Sequence, residues 1–111
     1  MSAWSSLGPA DELWEGEMRA HTVDGHEIVL VRVDGGDVHA FQGICPHQEQ
    51  RLADGDFDGR KLVCFGHLWE FDATSGSGVN PTGCQLTRYP VEVRDGEIHV
   101  CTDGVVPSYS Y

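Results

Sequence analysis

The sequence predicts an all-β fold of antiparallel strands, arranged as a sandwich or a barrel. Its 14 glycines and 5 prolines suggest many turns rather than disorder. Two pairs of strand-like segments are each joined by a glycine-containing turn. Only residues 9–15 hint at a helical turn. A chain of 111 residues is too short for two units that each bury a core, so we expect one domain over residues 1–111.

The first predicted hairpin lies before the middle of the chain. Residues 27–33 form an apolar, valine-rich run, and residues 38–41 resume an extended pattern. Between them, residues 34–37 read Asp-Gly-Gly-Asp, which supplies turn chemistry. The sequence therefore predicts two antiparallel strands with a short turn.

The second predicted hairpin lies near the end of the chain. Residues 89–94 alternate apolar and polar side chains, Asp95 and Gly96 make the turn, and residues 97–101 return as a strand. Between the two hairpins, residues 51–59 and 72–83 are rich in turn-forming residues and are expected to be loops.

The charge balance excludes some classes of partner. The formal net charge is -11, from 18 acidic and 7 basic residues. Binding to nucleic acid needs clustered lysine and arginine, so that class is excluded. The acid excess either favours a partner with a basic docking face or serves solubility alone.

Neither a secretion signal nor a membrane span is evident in the sequence. Residues 1–9 lack a basic region followed by an apolar one, and no stretch approaches the roughly 20 apolar residues of a span. We therefore expect no membrane association and a cytoplasmic protein. A reducing compartment favours metal ligation over disulfides for cysteines at ligand spacing.

Two pairs of cysteine and histidine are the strongest functional signal. Cys45 and His47 are separated by one residue, and Cys64 and His67 by two. Each pair directly follows a strand-like stretch, so both are expected in loops at strand ends, side by side. Two thiolates and two imidazoles suit zinc or iron-sulfur iron and are poor ligands for calcium or magnesium.

Two other interpretations of these four residues stay open at this point. They could be unrelated core thiols and surface histidines, although packing alone rarely produces two pairs at ligand spacing. They could also form a structural zinc site, which accepts two Cys and two His and would make the chain a zinc-stabilised interaction module. A zinc finger normally orders its ligands Cys, Cys, His, His against a helix, and nothing helical follows His67.

The four residues resemble the ligands of the Rieske [2Fe-2S] proteins, in which C-x-H precedes C-x-x-H. That resemblance implies one [2Fe-2S] cluster per chain, held in two loops at one end of an antiparallel β fold. It implies that Cys45 and Cys64 bind the inner iron, while His47 and His67 bind the outer iron nearer solvent. It also implies a one-electron carrier without catalytic residues of its own.

The flanking residues look like the Rieske ferredoxin component of bacterial multicomponent monooxygenases that act on toluene and small alkenes. The matching segments are CPHQE, CFGHLWEF, GVNPTGC and YPVEV, at residues 45–49, 64–71, 78–84 and 89–93. This resemblance implies an upstream NADH-dependent flavin and iron-sulfur reductase and a downstream hydroxylase with a diiron site. A monomer is expected, because a shuttle must reach both partners.

Residues that differ from those of other Rieske groups indicate which subgroup the chain resembles. Many Rieske proteins have Pro and Gly where this chain has Phe65 and Leu68, which disfavours the ferredoxin of an aromatic-ring dioxygenase. That ferredoxin and the small subunit of a nitrite reductase remain alternatives. The respiratory relatives have an inter-loop disulfide and a serine where this chain has Gln50, Gly66 and Trp69. Because this chain lacks the disulfide and the serine of those relatives, the comparison with them predicts a low reduction potential for the cluster.

The remaining aromatic and cysteine residues are expected to be structural. Phe65 and Phe71 are predicted to be core aromatic residues, and Trp69 is predicted either to pack in the core under the second loop or to tune or gate electron transfer. Cys84 and Cys101 lie outside the ligand spacing and are predicted to be small buried hydrophobic residues.

Two further predictions concern the remaining histidines and a group of acidic residues. Four histidines have no paired cysteine and are expected at the surface or hydrogen-bonded: His21, His26, His39 and His99. Four acidic residues could form a docking rim near the cluster or an ordinary solvated loop: Glu49, Asp54, Asp56 and Asp58.

Overall fold

The computed structural model describes residues 4–46, 50–65, 68–80 and 82–107. The chain forms three antiparallel sheets, which confirms the all-β prediction. In chain order the strands are β1 (Trp4–Pro9), β2 (Met18–Val23), β3 (His26–Arg32), β4 (Val38–Gln42), β5 (Asp56–Phe57), β6 (Lys61–Cys64), β7 (Trp69–Asp72), β8 (Gly78–Asn80), β9 (Arg88–Tyr89), β10 (Val91–Arg94) and β11 (Glu97–Cys101). The outer sheet has the order β1-β11-β10 and the central sheet the order β2-β3-β4-β9. The third sheet, called the β5–β8 sheet, has the order β5-β6-β7-β8.

The central sheet is buried on both faces. One face packs against the β5–β8 sheet in a core that contains Val29, Phe41 and Phe71, and the other packs against the outer sheet in a core that contains Leu30 and Val100. Strand β3 supplies side chains to both cores, which is why it is a continuous apolar run rather than an alternating one. The first core includes Cys45 and Cys64, so it connects the fold to the predicted site.

Both predicted hairpins are present. Strands β3 and β4 pair antiparallel, as do β10 and β11. Asp95 and Gly96 have φ of 53° and 78°, and this left-handed backbone at both central positions is typical of the tight turn that Asp-Gly favours. Asp24 and Gly25, with φ of 50° and 79°, make the same kind of turn between β2 and β3.

The predicted strand over residues 89–94 is divided in the structure. Tyr89 pairs with Ala40 in the central sheet, whereas Val91 pairs with Val100 in the outer sheet. Pro90 lies between them and has no N–H for a sheet ladder, so the chain passes from one sheet to the other at this residue.

Five strands were not predicted, one of which is β7 at Trp69–Asp72. Residues 51–59 contain the short strand β5, and residues 72–83 contain β8, although both were expected to be loops. Strands β1 and β2 were also missed. The polar residues of both strands, together with Gly8 and Pro9 in β1, give no strand pattern. Pairing with β11 holds β1 extended, and pairing with β3 holds β2 extended.

Helical structure is limited to short turns in the described ranges. The hint at residues 9–15 corresponds to a 3-10 turn over Ala10–Glu12, and a second turn covers Leu52–Asp54. No helix in these ranges is long and apolar enough to cross a membrane.

Candidate metal centre

The first loop, residues 43–51, leaves the central sheet at the end of β4. The Gly43 N–H donates to the Glu27 carbonyl at 2.7 Å, and the Leu52 N–H donates to the Gly43 carbonyl at 2.8 Å. Within the loop, the Cys45 N–H donates to the Gln50 carbonyl at 2.8 Å. Backbone hydrogen bonds therefore close this loop on itself and fix its base to β3.

The second loop, residues 65–68, connects β6 to β7. Cys64 is the last residue of β6 and lies opposite Trp69, the first residue of β7. Cys64 was expected in the loop, and the structure instead places it in the strand that enters the loop. The sheet ladder consequently holds its backbone.

The segment that follows the first loop contacts the strand that enters the second loop. A Cβ at Gly55 would overlap the Val63 carbonyl oxygen, so the backbone just before β5 lies directly against β6. The Cys45 and Cys64 side chains are both 0% exposed and belong to the same hydrophobic core. The fold thus brings the two predicted thiolate ligands into one buried, apolar environment.

The predicted histidine ligands, His47 and His67, lie outside the described residues. Among the residues that the structure does describe, no group of three or more His, Cys, Asp or Glu side chains is placed to hold a metal ion. The buried cysteines nevertheless fit a soft metal centre, since thiolates are soft donors and an apolar shell excludes competing water. The donor set therefore fits the cluster that the sequence predicts.

The second loop exposes two large apolar side chains. Phe65 is 55% exposed and Leu68 is 64% exposed. The prediction that Phe65 is a core residue was wrong: Cys64 points into the core, so the alternation of an extended chain directs the next side chain outward. Leu68 also has a φ of 56°, which is rare for a bulky side chain.

The other aromatic residues and cysteines behave largely as predicted. Phe71 is fully buried, and the half-buried Trp69 packs beside it with 6.5 Å between ring centroids. Cys84 is half-buried against the core that contains Cys45, and Cys101 is half-buried in β11. All four cysteines lie in the described part of the chain, and none forms a disulfide.

The predicted acidic rim is only partly placed near the loops. Asp56 is exposed and pairs with Val63, the residue before Cys64. Asp54, two residues earlier in the chain, is also exposed. Asp58 lies at the opposite end of β6, where its carboxylate accepts the N–H groups of Lys61 at 2.8 Å and Arg60 at 2.9 Å. These hydrogen bonds close a turn, and they also lower the pKa of the Asp58 carboxyl group. Glu49 lies outside the described residues.

Among the histidines that have no paired cysteine, His26 is hydrogen-bonded, whereas one ring nitrogen each of His21 and His39 is not. The Nδ1 of His26 is 2.9 Å from the Tyr89 hydroxyl, which confirms the prediction for that residue. The Nε2 atoms of His21 and His39 are buried, and neither has a hydrogen-bond partner among the described residues. Both residues are partly exposed, and the predicted hydrogen bond is absent at Nε2 in each.

Two partly buried imidazoles make the stability of the protein sensitive to acid. Burial is the main cause that lowers the pKa of His21 and of His39 below 6.5, with nearby Arg19 and Arg88 acting in the same direction. The unfolded chain then binds protons more readily, so stability is complete above the ordinary histidine pKa and falls as the pH drops below it.

We expect a H21Q/H39Q double variant to lose less thermal stability than wild type when the pH falls from about 7.5 to about 5.5. Thermal unfolding of the cluster-loaded proteins, followed in parallel at each pH, measures the difference. Both proteins share every other titratable group, so equal losses would contradict a role for these two imidazoles.

Sequence comparison identifies what the chain is similar to. The Rieske [2Fe-2S] domain matches residues 3–90. The ferredoxin component of the alkene monooxygenase system of Xanthobacter autotrophicus (strain Py2) is 40% identical over 95 residues, which cover 84% of this chain and 76% of the relative.

Solved structures agree with that comparison. The ferredoxin of carbazole 1,9a-dioxygenase from Nocardioides aromaticivorans IC177 superposes with a TM-score of 0.81 at 32% identity, covering 90% of this chain and 98% of that one. A chain in a complex of reduced oxygenase and oxidized ferredoxin in carbazole 1,9a-dioxygenase gives a TM-score of 0.81 at 25% identity, covering 91% of this chain and 94% of that one.

Proposed function

Since this chain belongs to the Rieske [2Fe-2S] domain family and is an electron carrier with a Rieske-type cluster, we propose that its four cluster ligands are the ones that the sequence predicts: Cys45, His47, Cys64 and His67. The buried positions of Cys45 and Cys64 support the inner half of this set. When bound, the cluster supplies reversible uptake and release of one electron. His47 and His67 would hold the outer iron toward a docked partner.

We further propose that the carrier serves a hydrocarbon monooxygenase. It would take electrons from an NADH-dependent flavin and iron-sulfur reductase and pass them to a diiron hydroxylase that oxidises an aromatic or alkene substrate. The similarity to the alkene monooxygenase ferredoxin component supports this assignment. A cytoplasmic monomer that binds its two partners in turn fits such a role, because NADH and a reducing environment are both available there.

We propose that a protein partner docks on the two exposed apolar side chains of the second loop. Phe65 and Leu68 flank His67 in the sequence, and both project from the loop that follows buried Cys64. The left-handed backbone of Leu68 costs about 1–2 kcal/mol, and strain of this kind concentrates at functional sites. Exposed apolar side chains beside an electron-transfer group are the part of the surface that a protein partner would cover.

Reconstitution separates this function from its alternative. The carbazole 1,9a-dioxygenase ferredoxin has the same fold, so a ring-dioxygenase carrier is the second candidate. The chain is mixed with an NADH-dependent reductase and either a diiron hydroxylase of the alkene or toluene type or a ring-hydroxylating dioxygenase. We expect coupled NADH oxidation and product formation with the diiron hydroxylase, and faster turnover with the dioxygenase would contradict the proposal.

The docking surface can be tested with a double substitution, Phe65→Ser with Leu68→Asn. Asn tolerates the left-handed backbone, so the fold and cluster spectrum should be retained. Burying a large apolar side chain contributes about 1.5–3 kcal/mol, so electron transfer at subsaturating hydroxylase should fall by about tenfold or more.

Val106→Ser is the matched control, because Val106 is 80% exposed but lies in the C-terminal segment. It should leave the rate unchanged. Wild-type rates for the double variant, measured under the same subsaturating conditions, would exclude the second loop as the docking surface.

The reduction potential should lie toward the low end of the Rieske range of about −150 to +300 mV. None of the four cysteines forms a disulfide, so the loops lack that feature of the high-potential relatives. The net charge of -11 also opposes the addition of an electron. A spectroelectrochemical titration should give a midpoint below zero against the standard hydrogen electrode, and a clearly positive midpoint would refute the expectation.

A further inference from the structure

Gln42, the last residue of β4, has a fully buried polar side chain that is hydrogen-bonded at both ends of its carboxamide. Its Oε1 accepts the Thr87 N–H at 2.9 Å, and its Nε2 donates to the Ile44 carbonyl at 2.8 Å. Its backbone N–H donates to the Thr87 carbonyl at 2.9 Å. Gln42 therefore joins the start of the first loop to the segment that leads into β9.

The Ile44 carbonyl belongs to the peptide group that enters Cys45. The other half of that peptide group, the Cys45 N–H, donates to the Gln50 carbonyl at 2.8 Å. Both polar atoms of the peptide plane are consequently held, one by the Gln42 side chain and one by the opposite side of the loop. A planar peptide fixed at both atoms restricts the direction in which the Cys45 side chain leaves the backbone.

Packing alone does not require an amide at this position. Burying a carboxamide costs free energy unless its donors and acceptors are bonded, and an apolar side chain of similar size would fill the same space. The amide instead bonds the peptide plane that leads into a cysteine in the core. Its placement therefore points to a role in orienting the loop rather than only in filling the core.

We propose that Gln42 is a positioning residue for the iron-sulfur cluster: it sets the orientation of Cys45 by holding the Ile44 carbonyl. This inference rests on the proposed function, because it requires Cys45 to be a cluster ligand. A purely structural Gln42 would affect only the stability of the protein. A positioning Gln42 also affects the electronic environment of the cluster in the fully folded state.

The first test is Gln42→Met, which keeps the volume and removes the side-chain hydrogen bonds to Thr87 and Ile44. We expect the EPR lines of the reduced cluster to shift and broaden well below the unfolding temperature. Because the part-buried Ile44 carbonyl loses this hydrogen bond and the loop loses its restraint, cluster loss to an iron chelator should be about tenfold faster than in wild type. Wild-type EPR lines in a folded Gln42→Met protein would overturn the inference.

Gln85→Met is the control for the loss of side-chain hydrogen bonds, at a glutamine that is exposed. Gln85 makes the same kind of bonds, donating from Nε2 to the Ser75 carbonyl at 2.7 Å and to the Leu86 carbonyl at 3.0 Å, outside the first loop. We expect a lower unfolding temperature with unchanged EPR lines. Equal spectral changes in both glutamine variants would show a general effect of lost hydrogen bonds and would also overturn the inference.

A second variant, Gln42→Glu, tests the same point even if Gln42→Met does not fold. A protonated Glu side chain can donate to the Ile44 carbonyl and accept the Thr87 N–H, whereas an ionised one cannot donate. Burial should raise its pKa above the ordinary value of about 4.3. We expect wild-type EPR lines at low pH and a reversible change as the pH rises, beyond any change in wild type.

The outcomes distinguish this inference from the proposed function. A Gln42→Glu spectrum that follows wild type at a pH where the carboxyl group is shown to be ionised would overturn the positioning role alone. A Cys45→Ser protein that keeps the wild-type spectrum would overturn the ligand assignment and this inference with it.

Discussion

Replacing Cys45 or Cys64 with serine is expected to abolish cluster binding. Both side chains are fully buried in one core, and we propose that each supplies a thiolate to the inner iron. Serine is nearly the same size, but its hydroxyl is a poor ligand for iron-sulfur iron. Purified Cys45→Ser and Cys64→Ser proteins should lack the visible absorption of the cluster and contain little iron or acid-labile sulfide.

The other two cysteines provide a control within the same chain. Cys84 and Cys101 are half-buried and are not proposed as ligands. Cys84→Ser and Cys101→Ser should retain the cluster in full, with at most a small loss of stability. Loss of the cluster in either control, or its retention in Cys45→Ser or Cys64→Ser, would contradict the assignment of ligands.

Gly55→Ala is expected to have the second largest effect, because it would prevent the segment after the first loop from packing against β6, the strand that leads into the second loop. The added Cβ would overlap the Val63 carbonyl oxygen, which belongs to the residue before Cys64 and cannot rotate away. Forcing backbone apart in a packed region costs about 3 kcal/mol or more. For a domain of this size the unfolding temperature should fall by roughly 10 °C or more, with poor cluster incorporation.

Gly25→Ala is the control for this substitution. A Cβ at Gly25 would meet nothing within 4 Å, and only its φ of 79° opposes the change. The expected cost is about 1–2 kcal/mol, with normal cluster content. Thermal unfolding and iron analysis of both variants make the comparison. If Gly55→Ala is no less stable than Gly25→Ala, the close approach of Gly55 to β6 is not needed for folding.

The fold could be predicted where local chemistry and tertiary structure agree. Residues 28–31 are apolar without a break because β3 is covered on both faces, and Asp95-Gly96 supports a left-handed turn by itself. Strands β1 and β8 could not be predicted, because their composition resembles that of loops. Pairing with β11 and β7 makes these two segments extended.

The candidate site was also only partly predictable. The spacing of Cys45 and Cys64 indicated ligands, and the structure buries both side chains in one core. The exposure of Phe65 was missed because aromatic residues are usually assigned to the core, although its position directly after inward-facing Cys64 was a signal. Gln42 was missed as well, since only the three-dimensional contact with Ile44 shows its connection to the first loop.

The nature of the metal centre tests this account most directly. An EPR spectrum of the reduced wild-type protein, recorded with natural and with nitrogen-15-labelled histidine, reports the ligands of the reduced iron. We predict a Rieske-type signal with nitrogen couplings that change on labelling, together with equal amounts of iron and acid-labile sulfide. A [2Fe-2S] signal without histidine couplings, or a colourless protein that contains zinc, would contradict the account.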